Sequence, residues 1–145
     1  VAAQNLSPDK VLIHDVARPA VSEDTITDII LEVNEETGAA PGLPISDALW
    51  KISNGKVQKT LNRNCIFRAQ TPQGFPYSKI LEAHESRSDE QAFDDVELAN
   101  KIGLKGIFKT GHKDNMKITT PEDFLKMSKI LIKKAGRRII KKVLD

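Results

Sequence analysis

The chain is 145 residues long, with 39% apolar residues, 29% charged residues and a formal net charge of +2. That length is enough for one domain with a buried core. No apolar run is long enough to span a bilayer and no signal-peptide pattern is present, so the composition reads as cytoplasmic and excludes a helical membrane protein. A single cysteine, Cys65, excludes an intramolecular disulfide and suits a reducing compartment.

Residues 1–9 read as a surface lead-in to a strand at 10–14, "KVLIH", which is short, apolar and β-branched. Residues 22–38 read as a helix. Ser22 is its N-cap, acids fill its first turn, Gly38 stops it, and Ile26, Ile29, Ile30 and Val33 share a face. Residues 39–45 form a second strand-like segment, interrupted by prolines. Strand, helix and strand in succession predict a βαβ unit and a parallel sheet. In 48–61, Asn54-Gly55 lies between two alternating runs and predicts a two-stranded arm. Trp50, Ile52 and Val57 give that arm an apolar face. An isolated hairpin is marginal in water, so the arm is expected to pack on something, such as a second subunit.

Residues 65–70 read as a strand with Cys65 as a small buried hydrophobe. Residues 71–76, with two prolines and a glycine, read as a loop. Helices are expected at 77–86 and 89–103, the second ending at Gly103. A strand at 104–110, a polar loop and a short strand at 116–119 follow. The last helix, 120–145, has Thr120 as cap, Pro121 at its first position, Glu122 and Asp123 in its first turn, and Gly136 as a weak point. Residues 126–145 carry eight Lys/Arg and one Asp, leaving the rest of the chain with a net charge of −5. The cation pairs 133–134, 137–138 and 141–142 alternate with apolar residues, as on an amphipathic helix with a solvated basic face. No aromatic platform interleaves with them, which argues against nucleic-acid binding.

Ligands of open parallel sheets bind beyond the carboxyl ends of the strands. Three polar segments fall at such ends. They supply His14, Asp15 and Arg18; then Arg68, Gln70, Thr71 and Gln73; then His112, Lys113, Asp114, Asn115 and Lys117. Acids and cations around one crevice suit metal-assisted phosphate chemistry, whereas an ordinary Asp–Arg loop pair is the plainer explanation. There is no Walker-type loop, no GxGxxG and no zinc pattern. His14 and His84 read as structural, and Asp94 and Asp95 as exposed acids on or near the start of a helix.

The ordered blocks "VLIHDVARP", "RAQTPQGF", "FDDVELA" and "DNMKITTPED" resemble the 2-C-methyl-D-erythritol 4-phosphate cytidylyltransferase family. The resemblance implies a Rossmann-like α/β fold, with a mostly parallel sheet flanked by helices and a protruding β-hairpin arm. It implies an enzyme that couples CTP with methylerythritol phosphate, releases pyrophosphate, uses Mg²⁺, serves the non-mevalonate route to isoprenoids, and forms a homodimer through the arm. Matched residue by residue, Asp15, Arg18 and Thr71 fall on the substrate side, with Asp15 neighbouring the metal. Lys117 matches a lysine that contacts phosphates and is expected to be catalytic. Asp114 matches an acid of the same block, a second expected metal neighbour. Arg63, in "LNRN", matches an arm arginine that reaches the substrate phosphate of the other subunit, and is also expected to take part in catalysis.

The sequence departs from the family at four places. Asp47-Ala48 replaces an Asp-Thr pair, "HDVARP" replaces HDAARP, and "FDDV" replaces TDDA. The glycine-rich nucleotide loop and the PKQ segment of the family are not among these residues. The chain is therefore expected to be the carboxyl-terminal portion of a nucleotidyltransferase domain, incomplete and inactive alone, with 48–61 as arm and 120–145 as basic terminal helix. Two other readings stand beside this one: a pentitol-phosphate cytidylyltransferase, and a non-catalytic sugar-phosphate-binding or assembly module.

Overall fold

A computed structural model describes residues 8–86 and 92–144, with the side chains of the last helix described to Gly136. The lead-in at 1–7, residues 89–91 of the expected second helix, and the side chains of the basic pairs at 137–138 and 141–142 lie outside the described residues.

The elements in order are β1 (Lys10–Ile13), α1 (Glu23–Glu32), β2 (Thr37–Pro44), β3 (Leu49–Ser53), β4 (Lys56–Leu61), β5 (Phe67–Ala69), β6 (Gln73–Pro76), α2 (Tyr77–Glu85), α3 (Asp95–Lys101), β7 (Lys105–Thr110) and α4 (Pro121–Leu144). β2 is the hub of the sheet. On one edge it pairs in parallel with β7, from Thr37↔Lys105 to Gly42↔Thr110. On the other edge it meets β6 at Ala39↔Gly74 and then β5 at Gly42↔Ala69, both antiparallel. β1 closes the row by pairing antiparallel with β6. β1, β2 and β7 thus run one way, and β5 and β6 the other. The α/β class stands, but the sheet is mixed rather than mostly parallel. β1 and β2 share a direction without touching, because β6 lies between them.

Alternation along the strands sends side chains to two cores, one on each face. Phe75, Ile80, Ala83, Leu98, Ala99 and Leu104 form one, with Val11 and Ile13 of β1 packed on it. Ile29, Val33 and Ala39 form the other, with Leu12 and Ile107 against them. α2 and α3 cover the first face and α1 the second, which makes three layers.

Several expectations are corrected. α1 ends at Glu32 rather than Gly38. Asn34 Oδ1 accepts the Glu36 amide, Thr37 Oγ1 donates to the Glu32 carbonyl, and the chain turns straight into β2. Gly38 lies inside that strand, where a Cβ would come within 2.6 Å of the Phe75 ring. Ile30 is 40% exposed and only Ile29 and Val33 of the expected face are buried. "TPQGFP" is no loop: Gln73–Pro76 is the fully buried strand β6. Gly74 permits this, since a Cβ there would fall 2.5 Å from Ile29 Cγ2. Cys65 is exposed in a turn at φ 62°, not a buried strand residue. Residues 116–119 form no strand, α3 begins only at Asp95, and α4 runs through Gly136.

The arm is as the Asn-Gly pair predicts. Asn54 and Gly55 both have positive φ, at 50° and 72°, between β3 and β4. Trp50, Ile52 and Val57 are each more than half exposed. Among the described residues no helix is long and apolar enough to cross a membrane.

Candidate functional site

The site gathers at the carboxyl end of β1, the junction between β5 and β6, and the loop that follows β7. Asp15 stands one residue past the strand-end His14. Its Oδ2 lies 3.2 Å from Arg18 Nε and 3.2 Å from Lys117 Nζ. Arg18 also donates to the carbonyl of Asn115 at 2.9 Å, and its Nη2 approaches the carbonyl of Ala69 at 3.5 Å. The Thr71 hydroxyl accepts the amide of Asp15 at 3.0 Å and lies 2.9 Å from His14 Nδ1. His14 Nε2 sits 3.1 Å from the carbonyl of Arg18. A neutral His14 protonated at Nε2 satisfies all three contacts, with Thr71 donating to Nδ1.

Asn115 is fully buried and fastens this ring from behind. Its Nδ2 donates to the carbonyl of Thr71 at 2.8 Å, and its own carbonyl accepts both Arg18 and Gln70 Nε2. Gln70 Nε2 also donates to the carbonyl of His112. The side-chain oxygens of Gln70 and Asn115 are buried without a partner among the described residues. Each such oxygen costs about 1–3 kcal/mol. The cost is tolerated because the same amides place their donors on main-chain carbonyls of Thr71, His112 and Asn115, tying the β5–β6 junction to the loop after β7.

Partial burial on its own raises the Asp15 carboxyl. Hydrogen bonds from Lys117 and Arg18, together with their charges, outweigh it and hold the group below the usual aspartate value. Beside this cluster opens a cleft of about 600 Å³ whose walls include Arg18, Arg68, Gln70, Lys113, Lys117 and Asp123. Four of these are cations, so the cleft is suited to anions.

The structure thus brings Asp15, Arg18, Thr71 and Lys117 together. It does not bring Asp114 to Asp15. The Asp114 amide donates to His112 Nδ1, and its carboxylate lies 3.8 Å from that nitrogen. Arg63 stays at the root of the arm, donating to the carbonyl of Ser46. Among the described residues no group of three His, Cys, Asp or Glu is placed to hold a metal ion. Asp15, the acid within the cluster, already faces two cations. The described residues therefore do not fit a resident Mg²⁺ site, and no step below runs through a metal.

Two features escape a reading by strand ends. Asp123 reaches the cleft from the first turn of α4. Hydrogen bonds from the side chain and amide of Thr119, then from Thr120, hold its carboxyl below the ordinary value. The Thr120-x-x-Asp123 spacing is a reciprocal capping pattern and was the available signal. Asp94 is no exposed acid. It caps α3 through the Glu97 amide and accepts Gln73 Nε2 at 3.2 Å. His84 pairs with Asp95 at 2.9 Å between α2 and α3, a structural contact.

Residues 1–133 match the family model of 2-C-methyl-D-erythritol 4-phosphate cytidylyltransferase. The chain belongs to this family. It is 44% identical over 132 residues to the 2-C-methyl-D-erythritol 4-phosphate cytidylyltransferase of Roseobacter denitrificans, covering 91% of this chain and 59% of that protein. It is also 44% identical over 131 residues to a bifunctional IspD/IspF enzyme of a Ruegeria species, covering 90% of this chain and 34% of that protein. The crystal structure of the cytidylyltransferase from Thermus thermophilus superposes with a TM-score of 0.78 at 31% identity, over 86% of this chain and 62% of that one. The chain thus spans little more than half the length of the single-function curated relative. The cytidylyltransferase family membership agrees with the α/β layers and with the order of the four sequence blocks.

Proposed function

We propose that this chain carries the sugar-phosphate side of a cytidylyltransferase that joins CTP to 2-C-methyl-D-erythritol 4-phosphate, in the non-mevalonate route to isoprenoids. In that reaction a phosphate oxygen of methylerythritol phosphate attacks the α-phosphorus of CTP. The α–β anhydride bond breaks and pyrophosphate leaves. The charge carried by both phosphates is the main obstacle, and fixed cations are the remedy.

The observation that carries the reading is the Asp15–Arg18–Lys117 cluster at the end of β1, opening on a cleft rich in cations. Lys117 holds the phosphate and offsets charge as the new P–O bond forms. Arg18 shapes the wall behind it. Asp15 keeps both cations in place, and Thr71 keeps Asp15 in place through its amide. Arg63 acts from the arm of a second subunit, where the exposed Trp50, Ile52 and Val57 supply the apolar contact. Mg²⁺ belongs to this reaction as a companion of the CTP phosphates, consistent with its preference for phosphate oxygens and water over an all-protein cage.

Isothermal titration of the 145-residue chain with methylerythritol 4-phosphate tests this. Measurable binding is expected, weakened about tenfold or more by Lys117→Gln. No binding, or tighter binding of ribitol 5-phosphate, removes the proposal; the second result favours a pentitol phosphate instead.

A further inference from the structure

We propose that Gln70 and Gly111 are positioning residues that act as one lock. Gly111 leaves the space in which the Gln70 amide lies, and that amide sets the loop on which Lys117 and Arg18 depend. This rests on the reading of Lys117 as the phosphate-holding cation, and says what fixes it there.

The loop between β7 and α4 is pinned at both ends. At its start the Gly111 amide donates to the carbonyl of Gly42 at 2.8 Å, just beyond the β2–β7 ladder. Past Lys117 the Ile118 amide donates to the carbonyl of Ala17, also at 2.8 Å. Between these points Gln70 Nε2 takes two loop carbonyls, His112 at 3.1 Å and Asn115 at 3.0 Å. Gln70 is buried, and its own amide donates to the carbonyl of Pro41 in β2 at 2.8 Å. Its side chain is thus a strut from the sheet to the loop. Lys117 stands two residues beyond Asn115, and Arg18 Nη1 donates to the same Asn115 carbonyl at 2.9 Å. Moving that carbonyl therefore moves both cations that face Asp15. Their contacts with Asp15 are 3.2 Å long, and a displacement of about 1 Å is enough to break such a contact.

Gly111 is what the strut requires. A Cβ there would fall 2.2 Å from Gln70 Oε1 and 3.1 Å from Gln70 Cδ. Gly111 does not have the positive φ of Gly55 and Gly103, so its backbone suits other residues and space alone excludes them. The atom in the way is the tip of a side chain. An alanine at 111 is accommodated when Gln70 swings aside, which breaks its two bonds to the loop and leaves the sheet in place.

The test compares the chain with Gln70→Met, Gln70→Ala, Gly111→Ala and the double variant Gln70→Ala/Gly111→Ala. Methionine keeps the volume of Gln70 and has no donor. Two readings are taken: an NMR titration of the Asp15 carboxyl, which needs no ligand, and calorimetric titration with methylerythritol 4-phosphate. In every variant the Asp15 midpoint is expected to rise toward the ordinary aspartate value, because the bonds from Lys117 and Arg18 that hold it down are loosened. Affinity should fall about fivefold to tenfold in each single variant. Gly111→Ala should cost less than about twofold more in the Gln70→Ala background, where its clash is gone. A purely stabilising role for Gln70 would lower the melting temperature and leave both readings at wild type in Gln70→Met. That result overturns the inference, and so does a double variant in which the two losses multiply. If the wild-type chain binds no methylerythritol phosphate while the Asp15 midpoints shift, the proposed function falls and the lock stands.

Discussion

Replacing Gly74 by Ala tests whether the chain of cause from core to cleft is right. β6 is buried along its whole length and separates β1 from β2. A Cβ on Gly74 would lie 2.5 Å from Ile29 Cγ2, 3.0 Å from Leu12 Cδ2 and 3.0 Å from Val33 Cγ2. Ile29 and Val33 are 0% and 2% exposed, so neither has room to retreat. α1 must shift outward, or β6 must move away from it against the core of Phe75, Ile80 and Leu98 on the other face. Overpacking of this kind costs about 1–3 kcal/mol. For a chain of this size the unfolding entropy is about 0.3 kcal/mol per kelvin, so melting should fall by roughly 3–10 °C. Differential scanning calorimetry reads this directly. Gly136→Ala is the internal control: it has open space and a helical site, and should gain about 1 kcal/mol. An unchanged or raised melting temperature for Gly74→Ala would refute the packing argument.

Two further outcomes follow from the cluster itself. The folded-state pKa of Asp15 lies below its unfolded value. Its stabilisation is therefore complete above about pH 4–5 and is lost as the pH falls through the folded value. Asp15→Asn should flatten the acid limb of urea-derived stability between pH 3 and 5. At pH 7 it should cost about 1 kcal/mol or less, because both ion pairs are partly exposed. A steep acid limb that survives the substitution would assign it to other carboxyls. Thr71→Val removes the acceptor for the Asp15 amide and the partner of His14 Nδ1 while keeping the shape. About 1–2 kcal/mol of stability and a measurable share of methylerythritol phosphate affinity should go. Wild-type behaviour in both assays would deny Thr71 its role.

Much of this molecule is written locally in its sequence. The arm follows from Asn54-Gly55, α1 starts where Ser22 caps it, and α4 starts at Thr120-Pro121. What local rules misjudge is what neighbours decide. β6 carries Pro76 and Gly74 and follows Pro72, so it has the composition of a loop. It is a strand because β1 and β2 flank it and α1 needs the space at Gly74. Likewise Gly38 looks like a helix stop but serves the close approach of Phe75. The site shows the same division. Asp15, Arg18, Thr71 and Lys117 were legible as strand-end groups and as family blocks. The separation of Asp114 from Asp15 was not, since it depends on the turn in which His112 holds the Asp114 amide.

The bonds that seat Arg18 run to the carbonyls of Asn115 and Ala69, not to their side chains. Main-chain oxygens are present whatever residue occupies a position. The placement of Arg18 is therefore buffered against mutational drift at Ala69, whose side chain plays no part in it. Among the described residues the side chains of Arg68 and Lys113 make no hydrogen bond or ion pair, so they stand outside that frame.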